Sequence, residues 1–260
     1  MSDSSLYQVR NILKYDQGKW EQGEQPVVCE APLKIIVNGI EVTTLICSPR
    51  GYEELAVGFL LTQGLIKKMS EITHVVSDIK DGVVCVKITV SDNRFFCASS
   101  RQNDEKTWAG INFAYNTSEL EPVKNSVQFS AESMLHMIEL LEEKSQVFRV
   151  TGAVHNVALG DGRDLLVMYE DIGRHNAVDK VLGHALLKGI NTSDKCLVLS
   201  GRVASEILVK AARGKVPLVL SRSAPMKLAI DLAEELGITI IGFARGKRFG
   251  VYSHAERIVM

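Results

Sequence analysis

The chain has 260 residues, 46% of them apolar and 23% charged, and a formal net charge of −1. That composition suits a globular protein with a substantial core and excludes disordered and fibrous classes. No apolar run reaches the ~20 residues of a membrane helix, the opening MSDSSLYQVR lacks the apolar core of a signal peptide, and the five cysteines are too scattered for a zinc knuckle or a disulfide framework, so the expected setting is a reducing cytoplasm without membrane insertion.

In chain order, residues 1–26 are polar and read as a loosely held arm. Leu33–Val37 and Ile40–Ile46 flank Asn38-Gly39, a strong hairpin signal because a type I′ turn needs positive φ at both positions. Ser48-Pro49 then predicts a helix start, with serine as cap and proline in the first turn, and Gly64 its end. A second strand pair, Ile72–Ser77 and Val83–Val90, flanks Asp81-Gly82. Ser91–Gln128 is polar, aperiodic and long for a connection, which suggests a functional or mobile loop.

Ser130 is expected to cap a helix whose stripe Met134, Leu135, Ile138 and Leu141 faces a core. Beyond it, strand-like Ala153–Leu159 and Leu165–Tyr169 surround Asp161-Gly162. Helices over 173–188, 203–213 and 225–236 then alternate with short apolar strands at Cys196–Leu199, Pro217–Leu220 and Ile238–Phe243. Unbroken apolar strands alternating with helices predict a layered α/β domain on a largely parallel sheet. The fold expected is α/β (α+β overall), with a small mixed N-terminal part over 1–128 and a larger C-terminal part over 129–260. Self-association as a homodimer is compatible with such an architecture, although no residue marks an interface.

Charge is uneven. Lys195–Met260 carries eleven Lys and Arg against five acids, a net +6 that leaves −7 on the remainder. A basic quarter on a near-neutral chain suggests a locally held anion rather than bulk nucleic-acid binding. Common enzyme templates fail: there is no G-x-G-x-x-G after a strand and no G-x-S-x-G, and Gly242–Lys247 falls one residue short of a P-loop. His254-Ala-Glu256 matches the H-x-E of zinc deaminases, but too little chain follows for the P-C-x-x-C that completes it.

Four segments remain as candidates. His155 lies early in the small-residue strand Thr151–Asn156. Arg174 and His175 stand in a helix's first turn after a capping Asp171, a poor place for cations unless an anion docks there, and Asp179 is placed to orient the His175 ring. Ser200, Gly201 and Arg202 close one buried strand and Ser221 with Arg222 closes the next, at the end where open α/β sheets hold ligands. Phe243, Ala244, Arg245, Gly246, Lys247 and Arg248 form a third such loop with three cations. Loops at the ends of neighbouring strands would line one crevice, and a nucleotide or pyrophosphate group is its natural guest.

The runs Glu54–Ile66, Thr151–Leu159, Glu170–Gly183, Ser200–Pro217 and Gly242–His254 resemble the FdhD family of formate dehydrogenase accessory and sulfur carrier proteins. The resemblance implies a cytidine-deaminase-like C-terminal domain without zinc. It also implies transfer of persulfide sulfur from a cysteine desulfurase to the molybdenum or tungsten bis(molybdopterin guanine dinucleotide) cofactor of formate dehydrogenase. A GDP-like nucleotide would mimic that client, and the family's guanylyl loop falls on Phe243–Arg248. His155 and His175 would assist proton movement or hold the anion. One departure stands out: Arg101 and Asp104 occupy the places of the family's C-G-x-C-G cysteines. Cys97, in the same polar stretch, is then the substitute sulfur carrier if Arg94 or Arg101 lowers its pKa, or an inert thiol after two phenylalanines. Without a carrier cysteine, the chain would act as a non-transferring cofactor-binding chaperone.

Overall fold

A computed structural model describes residues 6–89 and 120–259, so Cys97, Arg101 and Asp104 lie outside the described residues. The polar start is not a loose arm but a ribbon: β1 (Tyr7–Asp16) and β2 (Lys19–Val28) pair antiparallel. The turn at Gln17 and Gly18 has positive φ at both residues, as a tight hairpin requires. Most of the ribbon is exposed on both faces, so its sequence lacks the alternation that reveals a half-buried strand.

A four-stranded sheet follows, in the order β4-β3-β6-β5, from β3 (Ala31–Val37), β4 (Ile40–Cys47), β5 (Ile72–Asp78) and β6 (Val83–Ile88). The Asn38-Gly39 turn has the expected positive φ at both residues. Helix α1 (Tyr52–Thr62) packs against β5 and β6. It starts from Gly51, not Ser48. Ser48 is buried where β4 ends, its N–H donating to Asp171 and its Oγ accepting from Ile172 N–H, so tertiary partners take the groups a cap would use.

Strand β7 (Phe129–Ser130) leads into α2 (Ala131–Lys144), and Ser130 caps it as expected, accepting the Ser133 N–H at 3.0 Å. The buried stripe is Met134, Met137, Ile138 and Leu141; Met137 replaces Leu135 because those four positions share one helical face. A short helix, α3 (Gln146–Thr151), was not expected. Then come β8 (His155–Gly160), β9 (Leu165–Asp171), α4 (Arg174–Leu187), β10 (Cys196–Leu199), α5 (Ser205–Arg213), β11 (Leu218–Ser221), α6 (Lys227–Leu236), β12 (Thr239–Arg245), β13 (Arg248–Ser253) and β14 (Ile258–Val259), the last parallel to β7.

The large sheet has the order β13-β12-β11-β10-β8-β9. Only β10, β11 and β12 run parallel; β8, β9 and β13 join antiparallel, so the sheet is mixed rather than largely parallel. The cause lies in two hairpins, one around Asp161-Gly162 and one at Gly246, where β12 runs on to Arg245 and β13 starts at Arg248 inside the segment expected as a charged loop. Alternate residues serve opposite faces: Leu197 and Leu199 join one apolar cluster, Cys196 and Val198 the other. The first cluster also holds Leu33, Ile35, Val178 and Leu182, so residues on both sides of position 128 share it.

Helices α1 and α4 cross backbone to backbone. A Cβ on Gly58 would stand 1.8 Å from the Asp179 carbonyl oxygen, and one on Gly183 2.0 Å from that of Glu54. No helix among the described residues is long and apolar enough to cross a membrane.

Candidate functional site

The close α1–α4 crossing buries charge. Lys180 is fully buried and donates to Asp171 at 2.5 Å and to the Ser48 carbonyl at 3.0 Å. Lys210 on α5 reaches both Asp179 oxygens at 2.6 Å and Thr62 Oγ1 at 3.1 Å. Two expectations change here. Asp171 does not cap α4, although its Oδ1 accepts the Gly173 N–H; Gly173 holds the cap position. Asp179 does not orient His175; it is held by Lys210, and His175 Nε2 instead meets Glu206 Oε2 at 2.7 Å. Burial, then Lys210 and Arg174, hold the His175 pKa below its usual value against the opposing Glu206.

At the carboxyl ends of β10 and β11 and the start of β8 lies a cleft of about 740 Å³. His155, Ser200, Gly201 and Arg202 line it together, as the strand-end reasoning expected, joined by Arg222 and Ser223. Its other wall comes from α2 and α3, where the exposed Phe148, backed by the buried Ile138 and Leu141, gives an apolar face and Arg149 a cation. Sequence reasoning missed this wall. The cue available was Gly152, whose positive φ ends α3 beside the cleft.

The serines shape the loops. Ser200 Oγ accepts the Asn156 N–H at 3.0 Å while its own N–H donates to the Asn156 carbonyl. Ser221 is buried, donating to the Gly201 carbonyl at 2.7 Å and accepting the Ser223 N–H. Gly201 lets the loop sit close to the ring, since a Cβ there would lie 3.3 Å from His155 Nδ1. Arg174 approaches the same glycine, and its buried Nε has no hydrogen-bond partner among the described residues. Arg222 pairs with Glu142 at 2.5 Å across the cleft mouth.

The fourth loop stands apart. Phe243, Arg245 and Arg248 line, with Phe249, a separate depression of about 260 Å³. Ala244 points into the core and is unavailable to a ligand, while Gly246 and Lys247 form the exposed β12–β13 turn. The loops therefore share one rim but make two recesses, not a single crevice. They are joined at Phe243, whose N–H donates to the Ser223 carbonyl, and at Arg245, whose Nε donates to the Arg222 carbonyl at 3.2 Å. Phe243 keeps an exposed ring on a backbone with φ 52°, a conformation unusual for a bulky residue and typical of functional loops. His254 and Glu256 of the H-x-E triplet pair with each other at 3.1 Å.

Burial pushes the Cys47 and Cys196 thiols up to about 12, so neither offers a thiolate near neutrality. Cys85 is exposed on β6 and Cys29 half-buried.

The family model FdhD/NarQ matches residues 28–259. The sulfur carrier protein FdhD of Bacillus subtilis is 42% identical over 256 residues, covering 96% of this chain and 97% of that protein. The namesake in Geobacillus kaustophilus is 38% identical, with 96% and 97% covered. A crystal structure described as a candidate formate dehydrogenase accessory protein from Desulfotalea psychrophila superposes with a TM-score of 0.84 at 28% identity, over 98% of this chain and 100% of that one. With a family match from the end of the ribbon to the last strand, and relatives similar over nearly their whole length, this chain belongs to the FdhD/NarQ family.

Proposed function

We propose that the chain is an accessory sulfur carrier of the formate dehydrogenase pathway, which holds the guanylyl end of the pterin cofactor in the cleft while sulfur is delivered. The observation that carries this reading is the cleft's division into an arginine rim and an apolar wall. Arg202 and Arg149 offer planar donor forks to phosphate, Arg222 stands beside them on its ion pair with Glu142, and Phe148, backed by the buried Ile138 and Leu141, offers a surface to a flat ring. A volume of about 740 Å³ falls within the range of small-molecule sites. The adjoining Phe243–Arg248 loop, the family's guanylyl loop by resemblance, adds an exposed aromatic face with Arg245 and Arg248 beside it.

In this reading a cysteine desulfurase supplies persulfide sulfur, Cys97 carries it, and the molybdenum or tungsten cofactor bound for formate dehydrogenase receives it as client. A second reading, a cofactor-binding chaperone that transfers nothing, is favoured by Arg101 and Asp104 in place of the usual cysteines and by the burial of Cys47 and Cys196.

The test is calorimetric titration of GDP into the full chain, Arg202→Ala/Arg222→Ala and Lys247→Ala/Arg248→Ala. Loss of binding in the first double variant supports the cleft, loss only in the second moves the nucleotide to the β12–β13 loop, and a wild type that ignores GDP sinks the reading. Incubation with a desulfurase and cysteine, followed by mass spectrometry, separates carrier from chaperone: a sulfur atom gained by wild type and not by Cys97→Ala marks the carrier.

A further inference from the structure

The cleft holds a titratable side chain that faces cations from two elements against a single opposing carboxylate. His155 is half-buried at the start of β8, and its ring has no hydrogen-bond partner among the described residues. Arg174 from the first turn of α4 and Arg202 from the β10–α5 loop both act on it, and Arg149 and Arg222 line the same cleft from α3 and the β11–α6 loop. The carboxylate opposite it in register, Asp171 on β9, is already committed: Oδ2 to Lys180 and the Ser48 N–H, Oδ1 to the Gly173 N–H and Asn176. Glu142 is paired with Arg222, and Glu170, the register partner of Asn156, accepts the Val147 and Phe148 N–H groups that open α3. Cations thus face the imidazole from two elements, and the one carboxylate that pulls the other way, Asp171, has both oxygens taken by other donors and none bonded to the ring. Burial first, then Arg174, hold its pKa below the usual value against the opposing pull of Asp171, with Arg202 adding to the lowering, so the free protein presents a neutral ring.

We propose that His155 is the proton-accepting ligand of the cleft: a phosphoryl anion docking beside Arg202 and Arg222 turns it into imidazolium, so that binding takes up a proton. This rests on the reading of the cleft as an anion site. The protonated ring can donate from both nitrogens, where the neutral ring donates from one. An anion within about 4–6 Å favours the charged form and opposes the two guanidiniums that disfavour it. Affinity then falls as pH rises through the bound-state pKa, by at most about tenfold per pH unit for one linked proton.

The experiment is calorimetry of GDP binding to wild type and His155→Gln, in buffers of different ionisation enthalpy, between about pH 5.5 and 8. The terminal phosphate of GDP itself titrates near about pH 6, so the quantity read is the difference between the two proteins. Wild type is expected to take up as much as about one proton more per GDP, with the two affinities converging at the alkaline end. Equal proton counts in two proteins that both bind would overturn the role of His155 and leave the cleft standing; absence of binding to wild type would overturn both. Should His155→Gln fail to fold, NMR titration of the His155 ring in wild type gives the same answer: a pKa that rises on adding GDP supports the proposal, and an unchanged one refutes it.

Discussion

Two clusters of charge lie one turn apart along α4 and meet opposite fates. At its start, Arg174 approaches Gly201 of the cleft and His175 meets Glu206; one turn on, Asp179 and Lys180 are almost wholly buried. The residue types are similar, and the difference lies in what the neighbouring elements bring. β9, α1 and α5 deliver Asp171, Thr62 and Lys210 to the buried pair of charges, so each finds a partner in a dry crossing. Around His155 the neighbouring elements bring Arg174 and Arg202 against Asp171, whose own oxygens are bonded to Lys180 and backbone N–H groups, while Glu142 and Glu170 are held by Arg222 and by the start of α3. Charge that is internally matched fixes the fold; charge left in surplus is available to an anion. A buried pair does not of itself add net stability, but removing one member leaves an uncompensated ion.

The comparison can be broken most forcefully at the crossing. Gly58→Ala places a methyl group 1.8 Å from a backbone oxygen, and its cost should exceed the ~1–3 kcal/mol of ordinary overpacking. The expected outcome is little or no folded protein in a soluble expression assay, and normal yield would show that the helices can slide apart. Lys210→Met should follow, with a loss of about 3–5 kcal/mol in urea unfolding, whereas Lys210→Met/Asp179→Leu should recover most of it. A double variant no better than the single one would mean that packing, not charge, sets the cost. Arg202→Ala/Arg222→Ala inverts the pattern: folding stability should shift by only about 0.5 kcal/mol, while GDP affinity drops tenfold or more, as expected for charge-assisted bonds worth about 1.5–3 kcal/mol.

The smallest effect concerns pH. His155 and His175 both have pKa values held below the unfolded value of 6.5. The unfolded chain therefore binds more protons as pH falls below about 6.5, and stability declines from there until the folded-state pKa values are passed. His155→Gln should flatten part of that decline in urea titrations without nucleotide; an unchanged slope would show that neither burial nor the guanidiniums lower the pKa of its ring.

Local signals were enough wherever a residue's partner lies close in sequence. The Asn38-Gly39 turn, the Ser130 cap and the strands Cys196–Leu199 and Leu218–Ser221 were all legible to within a residue, because turn φ, capping and short apolar runs are local requirements. The β1–β2 ribbon was illegible because exposure on both faces removes any alternation. Ser48 misled because its hydroxyl serves Ile172, 124 positions away in sequence.

The rim of the cleft followed the same division. His155, Ser200 and Arg202 could be picked out because each stands where a strand meets a loop. Phe148 and Arg149 could not, since α3 reaches the cleft only after α2 has packed across the sheet. By itself the sequence determined the layered α/β class, the position of the strand-end loops and their surplus of cations. Only the tertiary structure decided which cations were surplus. Lys180, Lys210 and Arg174 differ little as residues, and whether a carboxylate meets each one depends on elements that approach from distant parts of the chain.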